Sequence, residues 1–133
     1  ANFEAPALIE RRLGLTLTPE VRTQDVARLL GASLSHPWSR RAAWSFLKTR
    51  YGELAAKMPE NMMTRVAGAV GSFCDAELLA DAQRFWSDKH APGLARRIAL
   101  GSEDAQQCIA WKKREAAPLS AWLRAHGHQH AER

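Results

Sequence analysis

The sequence predicts an all-α domain in which antiparallel helix pairs stack as an irregular superhelix of about seven helices. Apolar residues recur at three- and four-residue spacing along nearly the whole chain, and nothing alternates cleanly with period two. Proline and turn residues interrupt that pattern at short intervals, so neighbouring helices are joined by short loops and run antiparallel. With 133 residues, 46% of them hydrophobic and 25% charged, the chain suits one core and a charged surface. No sequence repeat is visible, so the HEAT/armadillo-like stacking rests on helix and loop lengths, with a compact bundle as the alternative. A single domain is expected over 1–133, structured from about 6 to 125, with a polar tail over 126–133.

Each element has its own signal. The first helix runs from Pro6 to Leu15, and proline is tolerated in its first turn. Thr18-Pro19-Glu20 marks a turn, and Thr23 can cap a second helix with Val26, Leu29, Leu30 and Leu34 on one face. His36-Pro37 ends it. A long third helix puts Trp44, Leu47, Tyr51, Leu54 and Met58 on one stripe, with Gly52 as a bend point. Pro59 opens a fourth, carrying Met62, Met63, Val66, Ala67 and Val70.

Asp75 is a candidate N-cap for a fifth helix, with Glu77 in the first turn, where negative charge suits the helix dipole. That helix buries Leu78, Leu79, Ala82, Phe85 and Trp86. After the Ala91-Pro92-Gly93 loop, a sixth spans Leu94 to Ala116 and contributes Ile98, Ala105, Cys108, Ile109 and Trp111. Gly101-Ser102 weakens it in the middle. Pro118 ends it or starts a seventh helix offering Leu119, Trp122 and Leu123. Trp44, Trp86, Trp111 and Trp122 are expected in the core, and Trp38 exposed.

Composition narrows function mainly by exclusion. The net charge is +5, but the cations fall in separate segments, Arg11–Arg12, Arg40–Arg41, Arg96–Arg97 and Lys112–Lys113–Arg114, with acids among them. That reads as solvated helix faces rather than a nucleic-acid surface. No apolar run approaches a membrane span, and no basic region precedes an apolar block at the N-terminus, so neither a membrane partner nor a signal peptide is expected. The start at Ala1 suggests an excised or processed piece. Cys74 and Cys108 lack metal-ligand spacing and sit among apolar residues; buried free thiols are expected, a disulfide being the alternative. His126, His128 and His130 form a polar tail without a preorganised metal geometry. None of the five histidines is followed by Glu, so the chain has no H-E-x-x-H to hold a metal and activate water.

Four stretches carry a family resemblance. They are Glu20-Val21-Arg22-Thr23-Gln24-Asp25; Arg41 to Leu47, leading to Tyr51-Gly52-Glu53-Leu54; Phe85-Trp86 with His90-Ala91-Pro92-Gly93 and Arg97-Ile98; and Ile109 to Arg114, ending in Ala121-Trp122-Leu123. In this order and spacing the chain resembles the C-terminal helical domain of the aminopeptidase N family of zinc metallopeptidases, nearest the puromycin-sensitive type. Cys108 departs from it, standing where relatives often have Asn.

The resemblance implies a non-catalytic domain that docks on the catalytic domain of the same polypeptide and closes and shapes a cavity. Peptide substrates there lose N-terminal residues one at a time. It implies zinc in the parent enzyme and no cofactor, catalytic residue or metal ligand in this chain. The cytoplasm is the favoured location of the parent. Arg22, Gln24, Arg65 and Arg96, with Arg97 a similar case, are the candidates for contact with peptide or the neighbouring domain, because a guanidinium can hold a peptide's terminal carboxylate. The alternative is a free-standing helical-repeat scaffold that binds another protein.

Overall fold

The computed structural model describes residues 5–127, and among them the fold is all-α, with seven α-helices, one 3-10 turn and no strand. The helices are α1 (Pro6–Leu15), α2 (Thr23–Ser35), α3 (Arg40–Thr49), α4 (Tyr51–Lys57), α5 (Glu60–Ala67), α6 (Ala76–Ser87) and α7 (Leu94–His126); the 3-10 turn is Gly68–Ser72. α5 and the 3-10 turn occupy the middle, packed on α2 from one side and on α7 from the other. α3 joins α2, α1 leans on α3, and α6 pairs with α7.

The core follows the apolar spacing. α2 buries Val26, Ala27, Leu30 and Leu34; α3 buries Ala43, Trp44 and Leu47; α5 buries Met63, Val66 and Ala67; α6 buries Leu78, Leu79, Ala82 and Trp86. Phe73 and Val70, beside and within the 3-10 turn, fill the centre. Two cations donate to carbonyls at or just past helix ends. Arg40 donates from Nε to the Leu34 carbonyl at 3.0 Å and from Nη2 to that of Ser35 at 2.7 Å, closing α2. Lys57 Nζ donates to the Thr16 and Thr18 carbonyls at 2.8 and 2.6 Å, just past α1. At the other end of a helix, Asp75 accepts from the Leu78 amide at 2.9 Å and caps α6 as its position predicts.

The structure corrects several local expectations. The third helix is two, α3 and α4, and the break falls at Arg50 rather than Gly52. The stripe survives it: Trp44, Leu47, Leu54 and Met58 are all buried. Thr23 is the first residue of α2, and its side chain makes no capping bond. The expected sixth and seventh helices are one. Gly101 does not weaken α7; it lets α7 approach the 3-10 turn, because a Cβ there would lie 3.0 Å from the Gly71 nitrogen. Pro118 lies inside the same helix, where its missing N–H leaves only the exposed Arg114 without its usual donor.

The cysteines are not free. Cys74 and Cys108 form a disulfide, with Cα atoms 5.3 Å apart, a separation suited to such a bond. The close Gly71–Gly101 contact brings the end of the 3-10 turn to the middle of α7, and that long-range packing is invisible in the spacing of the two residues. Trp111 and Trp122 also leave the core: they are 55% and 57% exposed. Trp38 is exposed as expected, while Trp44 and Trp86 are buried.

Candidate functional site

The surface carries a cleft and a polar seam. The cleft lies between α4, α5, α6 and the loop leading into α7. Tyr51, Met58, Met63, Trp86, His90 and Leu94 line it, and it encloses about 190 Å³. Gly93 allows the loop to turn into α7, with a φ of +75° that favours glycine. Lys89 at the mouth lies over the rings of Phe85 and Tyr51, 4.6 and 5.2 Å from their centroids, and donates to Asp88 at 2.6 Å. Glu60 and Thr64 complete the rim. An apolar floor with charged groups at the mouth can hold a small apolar side chain.

The seam joins α3 to α6. Asp81 accepts from Trp44 Nε1 at 2.8 Å and from Lys48 Nζ at 2.6 Å, and Arg41 reaches Asp75 at 2.9 Å. The Lys48 contact first, and then the indole N–H, hold the Asp81 carboxyl below the usual carboxylate range. Asp75 is likewise low, because the Leu78 amide donates to it. These groups position the two helices and offer no reacting centre.

The predicted contact residues fall on separate elements. Arg22 precedes α2, Gln24 is in its first turn, Arg65 is in the last turn of α5 and Arg96 in the first turn of α7. All four side chains are exposed, and none lines the cleft. Asp25 pairs with Arg28 at 3.1 Å and not with Arg22. Arg97 lays its aliphatic stem against Gly68, so part of it serves packing. Lys89 carries no signal in the sequence: it lies two residues past the end of α6, where the turn that bonds its amide to the Trp86 carbonyl sets it over the Phe85 ring.

Among the described residues no group of three His, Cys, Asp or Glu side chains could hold a metal ion, and no helix is long and apolar enough to cross a membrane. His128 and His130 lie outside the described residues, whereas His126 ends α7 with its ring stacked on Trp122.

Comparison with known proteins adds two findings. The family described as "ERAP1-like C-terminal domain" matches residues 1–107. The probable aminopeptidase 2 of Sulfurisphaera tokodaii is 44% identical over 48 residues, covering 36% of this chain. The aligned part spans only 6% of that relative's length.

Proposed function

We propose, because this chain belongs to the ERAP1-like C-terminal domain family, that it is the non-catalytic C-terminal part of a zinc-dependent aminopeptidase, of the puromycin-sensitive type. In that role the residues form one helical domain, stacked as a superhelix, which docks on the catalytic domain of the same polypeptide. It closes and shapes the cavity where peptides lose their N-terminal residues. The family match along residues 1–107 carries this reading. With no H-E-x-x-H in this chain, the zinc and its water chemistry would belong to another part of the parent. Among the described residues no group of side chains fits a zinc site, and no chemical step is assigned to them.

Within that role the exposed Arg22, Gln24, Arg65 and Arg96 are the groups available to hold the far end of a long peptide. A charge-assisted contact of this kind is worth about 1.5–3 kcal/mol. In the parent enzyme, replacing the responsible Arg by Ala should raise KM for long peptides about 10- to 100-fold and leave aminoacyl amides within about twofold, since only uniform binding is lost. The measurement is kcat and KM over a peptide-length series for each variant. Equal effects on short and long substrates would reduce the domain's role to closing the cavity.

A further inference from the structure

The 3-10 turn lies along one face of α7. Gly68 meets the stem of Arg97, Gly71 meets Gly101, and Cys74, just past the turn, is bonded to Cys108. On α7 these contacts fall at Arg97, Gly101 and Cys108, spacings that keep to one helix face. Glycines let the two backbones come close but bring no side chains to bury. A Cβ on Gly101 would lie 3.0 Å from the Gly71 nitrogen. The far end of this seam is closed by the disulfide. Beyond it Ile109 packs against the core, and from Ala110 to Gly127 every residue is exposed except the half-buried Glu115.

The bond is placed to exchange. Both cysteines are half-buried, at the rim of the core rather than in it. Disulfides that solvent and thiols can reach are the labile ones. Cys74 stands just before Asp75, the N-cap of α6, and the positive end of that helix dipole favours a thiolate. The Asp75 carboxylate beside it is already engaged: the Leu78 amide first, and then Arg41 and Lys112, hold it low. Around Cys108 the charges offset, because Asp104 stands one turn before it on α7 and Lys112 one turn after. Cys74 is thus the better leaving thiolate and Cys108 the sulfur to attack.

We propose that the Cys74–Cys108 bond is a redox latch, opened in the folded chain by a dithiol, and that opening it frees α7 from the end of the 3-10 turn. A thiolate of the dithiol attacks the Cys108 sulfur, the S–S bond breaks, and Cys74 leaves as the thiolate beside the N-terminus of α6. The second thiol of the reagent then attacks the reagent's own sulfur in the mixed disulfide and releases Cys108. The chain gains two electrons and two protons, and the dithiol becomes a disulfide. The core keeps its packing, because neither cysteine belongs to it. The latch is a property of this chain and does not rest on the aminopeptidase reading.

The test is amide hydrogen exchange on the purified chain, oxidised and after dithiothreitol without denaturant, with free thiols counted. Both cysteines should titrate as thiols while the chain stays folded, and glutathione disulfide should restore the bond. Reduction should speed exchange over residues 105–113 by about tenfold more than over α2, which lies on the opposite side of the 3-10 turn. Cys74→Ser with Cys108→Ser should exchange as the reduced chain does and ignore the dithiol. A bond that yields thiols only in denaturant would be a structural staple. An equal acceleration in α7 and α2 would mean that the bond steadies the whole fold rather than α7. Either result overturns the proposal.

Discussion

Trp44→Ala should destabilise the domain by about 3–5 kcal/mol, the range for emptying a large aromatic site. Trp44 is only 3% exposed and meets Phe73 and Phe85 edge to face, with ring centroids 5.6 and 5.2 Å away. The substitution also takes one donor from Asp81, which holds α3 to α6. Trp38, at 63% exposure, should cost little when changed to Ala. Urea midpoints of the two variants decide this, and a larger shift for Trp38 would mean that α3 faces the other way. The same seam gives an acid limb to stability. The folded carboxyl of Asp81 is held low, so its contribution is complete above the ordinary carboxylate range, around pH 4, and is lost as pH falls through the folded value. Asp81→Asn should flatten that limb, and an unchanged acid profile would remove Asp81 from the account.

Loss of the Cys74–Cys108 bond should cost about 2–4 kcal/mol, since the bond closes a loop between residues 34 apart in sequence. The cross-link joins the end of the 3-10 turn to α7, and α7 otherwise holds the core through Leu94, Ala105 and the Gly71–Gly101 approach. Reduction should therefore lower the urea midpoint while leaving helix content at low denaturant nearly unchanged. Cys74→Ser with Cys108→Ser should match the reduced wild type. If the double variant is as stable as the oxidised protein, the cross-link contributes nothing to the fold.

Local periodicity made the helices legible. α1 has the predicted span, Asp75 caps α6, and the stripe from Trp44 to Met58 is buried although the helix carrying it breaks at Arg50. The tryptophans of α7 show the limit of that signal. An apolar line along a helix tells which face seeks a partner, and it does not tell whether this chain supplies that partner. Trp111 and Trp122 have the spacing of core residues, yet the core ends before them. The cysteine pair escaped for a related reason: it depends on two glycines letting a 3-10 turn touch α7, a contact between segments 30 residues apart in the numbering of Gly71 and Gly101. The four candidate contact residues could be placed on helix ends.

The most direct test of the central claim is turnover of aminoacyl fluorogenic substrates by the purified chain with added zinc. The chain has no H-E-x-x-H, and its described residues offer no group of three metal ligands, the set that a zinc-activated water would need. The predicted result is no activity above buffer, with cleavage appearing only when the upstream polypeptide is present. Chelator-sensitive turnover that follows the isolated chain through purification would contradict the claim that its role is to dock, shape and close.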